Sequence, residues 1–387
     1  MKTIRLGVIG IGNMGTTHCK KVLEGACPDF TLTAICDKNP ARISWAKENF
    51  DAPITYFEKA EDMLCSGLID ACIVAVPHYD HPRLAMACME KGIHVLVEKP
   101  ADITVSKARK MNEAAGDRVF GIMFNQRTGN LFQKAREIVK SGLLGQLKRT
   151  DWIITNWYRT QYYYDSGDWR ATWAGEGGGV LMNQAPHQLD LWQWICGMPE
   201  KIYARCEIGK YHDIQVEDEV RLLARFPGGA TGSFTTSTGE YPGTNRLEIA
   251  GTLGKLVIED GKLKWWRLQE DERSFYATCK ESYGKIPYTY EELEHIPALG
   301  HKLILQNFAD AILKGTPLLA PGADGINALS IQNAAYLSAW TDGWISIPFN
   351  EEEYDRQLAL RQTDARKKST NQAADSTDYS HRWQINW

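Results

Sequence analysis

Two residues of this chain, Lys99 and His187, carry side chains suited to handling the proton of a hydroxyl group. Lys99 ends a strand-length apolar run, and a charged group at the end of a buried strand needs a partner or a task. Pro186 fits only the first turn of a helix, so His187 lies at a helix start, where the dipole favours a neutral imidazole that accepts protons. Taken alone, a solvated lysine and a structural histidine are the plainer interpretations. Their sequence neighbours favour catalysis.

A glycine-rich turn opens the first helix of the chain. An apolar strand at residues 4–9 leads into the sequence GIGNMG, residues 10–15. In this context glycines permit a tight turn, close approach to a pyrophosphate and close helix packing. A second apolar strand ends in Asp37, whose carboxylate would accept hydrogen bonds from an adenosine ribose and repel a 2'-phosphate. We therefore predict NAD as cofactor, with NADP less favoured. Lys38 and Arg42 keep NADP open as the alternative, because basic side chains attract a 2'-phosphate.

Strand and helix patterns alternate through the first third of the chain, which predicts a doubly wound parallel sheet. The carboxyl ends of such strands meet at one edge. Lys99 and the loop Val76-Pro77-His78 are therefore expected beside the glycine turn. His78 and His81 would either contact a ligand or make helix-start or loop hydrogen bonds. The further predicted strands cover residues 53–57, 69–76, 94–97 and 119–123, and the predicted helices cover residues 82–91 and 104–115.

Beyond residue 125 the pattern changes to a predominantly antiparallel sheet. Val220, Leu222, Ala224 and Phe226 occupy alternate positions, which predicts one buried and one polar face, and Gly-rich turns separate successive strands. Helical patterns return at residues 299–314 and 324–341. The predicted fold class is α/β plus α+β: a Rossmann domain at residues 1–124, an α+β domain for substrate and oligomerisation at 125–365, and a tail at 366–387.

Three consecutive glycines at residues 177–179 precede Asn183, which lies four residues before His187. If the helix has begun, Asn183 and His187 share one face at its start. Aromatic residues crowd the preceding segment, and at least half of them are expected to serve packing. The others, with Arg159 and Arg170, would form a platform for a pyranose or an aromatic aglycone. These aromatic residues are Trp157, Tyr158, Tyr162, Tyr163, Tyr164, Trp169 and Trp173.

Together these motifs resemble the glucose-fructose oxidoreductase and inositol dehydrogenase (Gfo/Idh/MocA) family over nearly the whole chain. The resemblance implies reversible hydride transfer between a nicotinamide and a carbinol carbon, with Lys99 orienting the hydroxyl and His187 exchanging its proton. It also implies an open-faced sheet through which subunits pair, and it adds Asn125 and Arg127 to the site. Many members have aspartate where this chain has Asn183. We predict that His187 alone accepts the proton and that Asn183 positions substrate.

The predicted site residues form three groups, and no metal is expected. The catalytic residues are Lys99 and His187. The substrate-binding residues are Asn183, Arg127, Trp157, Arg159, Tyr163, Trp169 and Arg170. The cofactor-binding residues are Gly10, Gly12, Asn13, Met14, Gly15, Asp37, Val76, Pro77, His78, His81, Glu98, Lys99, Pro100, Asn125 and Arg127.

The charge, the cysteines and the hydrophobic pattern of the chain indicate which classes of binding partner and which environment to expect. A net charge of −4 with scattered Lys and Arg residues argues against a nucleic-acid partner. The nine cysteines include no Cys-x-x-Cys pair and mostly lie in apolar runs, which predicts reduced core residues. The chain opens directly into a strand and contains no apolar segment of bilayer length, so we expect a cytoplasmic protein without membrane contact.

We predict an NAD-dependent oxidoreductase acting on a ring hydroxyl or ketone of a sugar or glycoside, with C3 of a glucoside favoured by the aromatic segment. A homo-oligomer, dimer or tetramer, is expected. Three alternatives stay open: a redox-elimination enzyme that cleaves glycosides, a keto-sugar reductase and a non-catalytic NAD-binding sensor. Two tryptophans near the end of the tail, Trp383 and Trp387, either dock on a neighbouring subunit or domain or belong to a frayed terminus.

Overall fold

The structure is a computed structural model that describes residues 3–297 and 300–363. Its helices are α1 (Asn13–Leu23), α2 (Pro40–Asn49), α3 (Ala60–Cys65), α4 (His81–Glu90), α5 (Val105–Glu113), α6 (Asn130–Lys140), α7 (Gln161–Asp165), α8 (Val180–Asn183), α9 (Pro186–Cys196), α10 (Glu272–Thr278), α11 (Gly300–Lys314), α12 (Asp324–Thr341) and α13 (Glu351–Thr363). Its strands are β1 (Ile4–Ile9), β2 (Phe30–Cys36), β3 (Thr55–Phe57), β4 (Ala71–Val74), β5 (His94–Val97), β6 (Phe120–Ile122), β7 (Leu147–Ile154), β8 (Lys201–Ile208), β9 (Glu217–Arg225), β10 (Thr231–Ser237), β11 (Asn245–Gly251), β12 (Gly254–Glu259), β13 (Lys262–Leu268), β14 (Tyr288–Glu294) and β15 (Ile345–Ser346).

The first of two compact units contains a six-stranded sheet in the order β3-β2-β1-β4-β5-β6. Every neighbouring pair in this sheet is parallel. The strand order reverses between β1 and β4, which is the switch point of a doubly wound fold. All four residues of β4 are buried, as expected for a strand covered on both faces. The predicted Rossmann-type sheet is confirmed.

The contact division of the chain differs from the predicted domain boundaries. The first unit comprises Met1–Arg127 together with Leu299–Leu329, so α11 returns to it. One face of α11 buries Leu305 and Phe308, and the Phe308 ring lies 6.1 Å from that of Phe30 in β2. An amphipathic helix must bury its apolar face, but its periodicity does not say against which surface. The contact division groups this segment with the first unit, whereas the sequence prediction placed it within the domain at residues 125–365.

The second unit contains a nine-stranded sheet in the order β14-β13-β12-β11-β7-β10-β9-β8-β15. The β10–β7 pair is parallel and the other neighbouring pairs are antiparallel. Trp192 of α9 packs its ring 5.7 Å from Phe234 of β10, on one face of the sheet. Ile153 and Leu223 are 41% and 52% exposed. This arrangement confirms the predicted, predominantly antiparallel sheet, and both exposures fit an open face.

Several features of the described residues fall outside the sequence prediction. The sequence prediction missed helices α2, α3, α7, α10 and α13. Asn39 and Pro40 nevertheless form a recognisable start for α2, in which the Asn39 side chain accepts from the Ala41 N–H at 3.0 Å. All nine cysteines are free. No helix in the described part of the chain is long and apolar enough to span a bilayer. The predicted docking of the tail at residues 366–387 lies outside the described residues.

Candidate active site

The carboxyl edge of the first sheet gathers the predicted cofactor loops. Ile9 of β1 pairs with Val74 of β4, which pairs with Val97 of β5, so these three strands end in register. The Glu98 N–H continues the ladder to the Val74 carbonyl at 2.9 Å. The glycine turn, the loop at residues 75–78 and the Glu98-Lys99-Pro100 segment therefore follow adjacent strands at one edge. Sequence reasoning had predicted this placement.

The glycine turn has the shape of a phosphate cradle. Gly10 has φ +87°, a conformation that favours glycine. A Cβ atom on Gly15 would lie 1.8 Å from the Gly10 carbonyl oxygen, so α1 packs too closely there for any side chain. Gly12 caps α1 without a side chain, and residues 12–14 are partly exposed. The N-terminal N–H groups of α1 therefore suit an anionic ligand.

Asp37 is held against this turn at the end of β2. Its Oδ2 accepts from the Ile11 N–H at 2.9 Å, and its Oδ1 accepts from the Asn39 N–H at 2.8 Å. Arg42 Nη1 lies 3.7 Å from Oδ2. The side chain is only 6% exposed, so the backbone fixes its orientation. The glycine cradle and this carboxylate together fit the pyrophosphate and adenosine ribose of NAD.

Replacing Asp37 by serine should weaken NADH binding about tenfold, because the ribose loses a charged hydrogen-bond acceptor. NADPH binding should improve relative to NADH, because the carboxylate that repels its 2'-phosphate is gone. Fluorescence titration with both reduced cofactors measures the ratio. Arg42→Ala is the matched control, since it should weaken NADPH more than NADH. An unchanged ratio in the Asp37 variant would contradict the assigned ribose contact.

Lys99 is the accessible residue of a buried segment. All residues from Val95 to Val105 except Lys99 are buried. The Glu98 carboxylate fixes the backbone beside it, because Oε2 accepts from the Lys99 N–H at 3.2 Å while Oε1 bonds to Nε2 of His18 at 2.7 Å. Burial by itself raises the pKa of Glu98, but the hydrogen bond from His18 and nearby positive charge bring it down to about 2. Glu98 therefore stays ionised next to Lys99.

A second buried histidine, His301 of α11, lies beside this pair. Its ring centroid is 5.6 Å from that of His18. Burial, with a contribution from His18, lowers the pKa of His301 to about 4. His301 is therefore neutral at physiological pH, whereas Glu98 is ionised.

The acid stability of the first unit should reveal both groups in separate pH windows. The unfolded chain takes up a proton at His301 from about pH 6.5, whereas the folded chain does so only near pH 4, so stability falls across that range. The pKa of Glu98 is lowered from 4.5 to about 2, so its contribution to stability is lost as the pH falls between those values. Each contribution is at most about 3 kcal/mol. Thermal melting of His301→Gln and Glu98→Gln should each flatten only its own window.

Three of the predicted cofactor residues are buried by contacts within the first unit. His81 is fully buried, with Nδ1 2.8 Å from the Pro100 carbonyl and Nε2 2.8 Å from the Val76 carbonyl, which is the loop hydrogen-bond alternative. Arg127 is fully buried, and its Nη1 donates to Asp324 at 2.5 Å and to the Leu319 carbonyl at 2.9 Å. His78 is 7% exposed. The burial of these three residues favours a role in holding the loops in place over direct contact with a ligand. Asn125, in contrast, is partly exposed.

In the second unit, Asn183 and His187 stand out by their accessibility. All residues from Glu176 to Ile195 except Asn183 and His187 are buried. Asn183 ends α8 and His187 lies in the first turn of α9, separated by a short turn. The prediction that Asn183 and His187 share one helix face held only if both lay in one continuous helix. The structure has two helices here, because α9 begins at Pro186.

A buried carboxylate that sequence reasoning missed holds the segment before Asn183. Glu217 of β9 accepts from the Gly179 and Leu181 N–H groups at 3.0 Å and from the Tyr336 hydroxyl at 2.7 Å. Burial raises the pKa of Glu217 to about 7, against the effect of these hydrogen bonds. A Cβ atom on Gly179 would lie 2.0 Å from the Glu217 carbonyl oxygen, which explains the third glycine. The acidic run at residues 217–219 inside a strand was the available signal.

Four of the predicted substrate residues form a stacked cluster. The Arg170 guanidinium lies 4.7 Å from the Tyr163 ring centroid and 4.5 Å from that of Trp169. Arg159 lies 5.1 Å from the Tyr163 ring. The Tyr163 hydroxyl accepts from Arg170 at 3.0 Å and from Gln184 Nε2 at 3.2 Å. Because Gln184 follows Asn183, this bond connects the cluster to the turn between α8 and α9.

Other aromatic residues of the segment serve packing, as expected for at least half of them. Trp157 is 7% exposed, and its Nε1 donates to the Thr236 hydroxyl at 3.2 Å. Tyr164 and Trp173 are buried as well. Tyr158 and Tyr162 are exposed at 47% and 59%. Trp157 is therefore a core residue of the second unit, and its predicted role in substrate binding is disfavoured by its burial.

The doubly wound sheet, the glycine cradle and the ribose-type carboxylate define an NAD-binding oxidoreductase. Comparison with known proteins agrees. Residues 4–120 match the model of the oxidoreductase family with an NAD-binding Rossmann fold, and residues 132–257 match the GFO/IDH/MocA C-terminal domain. The chain belongs to the Gfo/Idh/MocA oxidoreductase family, whose dehydrogenases include enzymes of sugars and polyols.

Similar proteins match almost end to end. Levoglucosan dehydrogenase of Pseudarthrobacter phenanthrenivorans is 26% identical, covering 90% of this chain and 99% of that protein. Myo-inositol 2-dehydrogenase of Thermotoga maritima is 26% identical, and the match covers 86% of this chain and 95% of that protein. The WlbA dehydrogenase of Bordetella pertussis, solved with NADH and UDP-GlcNAcA, has a TM-score of 0.74 at 25% identity and covers 90% of this chain and 100% of that one.

Proposed function

We propose that this chain is an NAD-dependent dehydrogenase that oxidises a ring hydroxyl of a sugar or glycoside, with C3 of a glucoside as the favoured position. The observation that carries this proposal is the pattern of accessibility. Lys99 is the accessible residue of one buried stretch, and Asn183 and His187 are the accessible residues of another. Polar groups that stay accessible in otherwise buried segments mark ligand-binding surfaces.

The proposed roles follow from the chemistry of each group. NAD, when bound, supplies the acceptor for the hydride. Lys99 orients the substrate hydroxyl as a donor of hydrogen bonds, and His187 accepts the hydroxyl proton. Asn183 positions the sugar. The glycine turn and Asp37 hold the cofactor, with Glu98 fixing the backbone of Lys99.

The substrate class is supported by two further points. The cluster of Arg159, Tyr163, Trp169 and Arg170 offers aromatic faces and guanidinium donors, which suit the apolar faces and hydroxyl groups of a pyranose. The relatives named above include dehydrogenases of levoglucosan and myo-inositol. The aromatic cluster favours a glucoside over a free cyclitol, and equal turnover of myo-inositol and glucosides would count against that preference.

The test is absorbance at 340 nm with purified protein, NAD and then NADP, across glucosides, levoglucosan, free aldoses and inositols. Lys99→Ala is the blank. We expect reduction of NAD by one sugar class, lost in the variant. If no substrate gives NADH, an assay for released aglycone identifies redox elimination, and NADH oxidation by keto-sugars identifies a reductase. NADH binding without any of these reactions would leave the sensor interpretation and refute a catalytic role.

We also propose that the chain acts in the cytoplasm as a homo-oligomer, a dimer or a tetramer. Support comes from the exposed Ile153 and Leu223 on strands of the nine-stranded sheet, which a second copy would cover. Light scattering after size-exclusion chromatography gives the mass in solution. Replacing both residues with lysine should yield monomers, and a monomeric native protein would refute the proposal.

A further inference from the structure

The guanidinium of Arg159 is fixed at one nitrogen by the backbone of its own segment. Nη1 donates to the Trp157 carbonyl at 2.8 Å and to the Tyr158 carbonyl at 3.0 Å, which uses both of its hydrogens. Nε and Nη2 have no hydrogen-bond acceptor among the residues that the structure describes, and Arg159 is partly exposed. Arg159 therefore presents its Nε–Nη2 edge, the fork that binds a carboxylate or a phosphate through two parallel hydrogen bonds.

The backbone of Arg159 is also held in place. Its N–H donates to the Thr238 carbonyl at 3.0 Å, and its carbonyl accepts from Nε2 of His212 at 2.9 Å. Nδ1 of His212 lies 3.0 Å from Oδ2 of Asp218, which is fully buried. Ordering a long arginine side chain costs conformational entropy, so an arginine that is already held loses less when it binds a ligand.

The hydroxyl of Tyr163 adds a further donor beside this guanidinium. The guanidinium carbons of Arg159 and Arg170 lie 5.1 Å and 4.7 Å from the centroid of the Tyr163 ring. The hydroxyl oxygen accepts from Arg170 Nη1 at 3.0 Å and from Gln184 Nε2 at 3.2 Å. Its hydrogen has no acceptor in the part of the chain that the structure describes. The positive charges and the hydroxyl hydrogen together suit a ligand group that carries negative charge and accepts hydrogen bonds.

The carboxylates closest to this cluster in sequence do not occupy the fork. Asp165 accepts from Gln161 Nε2 at 3.1 Å, and Asp168 is exposed. Neither of them forms an ion pair with Arg159 among the described residues. Gln184 lies three residues before His187, so its bond to Tyr163 connects the cluster to the segment that carries the proposed proton acceptor.

We propose that Arg159, together with Arg170 and the Tyr163 hydroxyl, binds an anionic substituent of the substrate, so that the enzyme prefers a glycoside that carries a carboxylate or a phosphate. The inference rests on the proposed function and narrows its substrate class. Arg159 acts on the binding of this substituent and not on the reacting carbon, so it determines specificity and has no part in proton transfer.

The test compares methyl glycosides that share one ring. Methyl glucuronoside carries a carboxylate at C6, methyl glucoside 6-phosphate carries a phosphate there, and methyl glucoside carries neither. We expect kcat/KM for one anionic glycoside to exceed that for the neutral one about tenfold to a hundredfold, mainly through KM, because charged hydrogen bonds contribute on that scale. The anionic glycoside with the lower KM identifies the group as carboxylate or phosphate. Equal kcat/KM for all three, or a preference for the neutral glucoside, refutes the inference.

Variants of the cluster measure the same preference. Arg159→Gln lacks both the charge and the fork and should reduce the ratio of anionic to neutral kcat/KM at least about tenfold. Arg159→Lys keeps the charge without the fork and should lie between this variant and the native protein. Tyr163→Phe should reduce the ratio about threefold to tenfold, through loss of one donor. Arg356→Gln, an exposed arginine of α13 in the same unit, is the matched control and should keep the native ratio.

The ratio between substrates separates anion binding from a structural role, because a structural defect lowers kcat/KM for charged and neutral glycosides alike. An unchanged ratio in Arg159→Gln shows that Arg159 does not bind the anion. If thermal melting shows that this variant does not fold, Arg159→Lys and Tyr163→Phe provide the comparison, and native ratios in both refute the inference.

Binding without turnover distinguishes this inference from the proposed function. Isothermal titration calorimetry of the protein–NADH complex with each glycoside measures affinity directly. If no glycoside is oxidised but an anionic one binds at least about tenfold more tightly than the neutral one, and Arg159→Gln abolishes that difference, the dehydrogenase assignment fails while the anion site stands. If the neutral glucoside is oxidised and no anionic one binds more tightly, the anion site is refuted and the dehydrogenase assignment stands. Without any turnover, equal or absent binding of the three glycosides also refutes the anion site.

Discussion

Replacing His187 with glutamine should lower kcat for sugar oxidation by about 10²–10⁴-fold, because positioned general base catalysis contributes a factor of that size. Glutamine keeps the approximate length and a hydrogen-bonding group but has no basic nitrogen. KM should change by less than about threefold, since the side chain lies in the partly exposed first turn of α9 and the neighbouring residues stay buried. Steady-state rates at saturating NAD measure both parameters.

His295→Gln is the matched control for this experiment, because it makes the same substitution in the same unit outside the proposed site. It should retain the native kcat. NADH affinity should be native in both variants, which fluorescence titration checks independently of turnover. If His187→Gln retains more than about a tenth of the native kcat, the proton acceptor is another group and the assignment of His187 fails.

Replacing Glu217 with alanine should have the largest effect on stability. The substitution leaves the Gly179 and Leu181 N–H groups and the Tyr336 hydroxyl without their buried acceptor. Each such group costs about 1–3 kcal/mol, so the second unit should lose at least about 3 kcal/mol. Turnover should fall by more than about a hundredfold even below the melting temperature, because α8 carries Asn183.

Two milder variants make the Glu217 prediction specific. Tyr336→Phe removes one donor and should cost about 1 kcal/mol with little change in turnover. Glu217→Gln keeps an accepting oxygen for the backbone and should be intermediate. Differential scanning calorimetry, which resolves separate transitions where two units unfold separately, measures the loss. Equal stability of the alanine and glutamine variants would show that the hydrogen bonds to the segment at residues 177–181 carry no weight.

The local features of the first unit were predictable from residue types. Alternating and continuous apolar runs mark β1, β2, β4 and β5, and the turn at residues 10–15 has few other uses between a strand and a helix. The register of β1, β4 and β5 then brings Lys99 to the edge that holds the glycine turn, as the rule for parallel sheets requires. In the second unit, the alternation of Val220, Leu222 and Ala224 matched their burial.

Other predictions depended on information that spacing does not contain. Arg127 and His81 resemble ligand-binding residues in sequence, but the structure pairs Arg127 with Asp324, far along the chain, and places His81 between two loop carbonyls. Trp157 could not be distinguished from its exposed aromatic neighbours, because aromatic composition does not reveal which ring meets the core. The periodicity of α11 likewise does not reveal which unit its apolar face packs against, and the structure places this helix in the first unit.

The sequence alone was sufficient for the Rossmann-type sheet, the NAD cradle, the antiparallel second sheet and the candidacy of Lys99 and His187, because each depends on residues close together in the chain. Tertiary contacts decided which carboxylates support the site. Glu98 bonds to His18 and Glu217 to Gly179, pairs that are distant in sequence. The nearer pair of Glu176 and Asn183 is also joined in the fold, where the Glu176 carboxylate accepts from the Ala171 N–H as well. Burial and hydrogen-bond geometry arise from the packed fold, so no residue pattern could specify them.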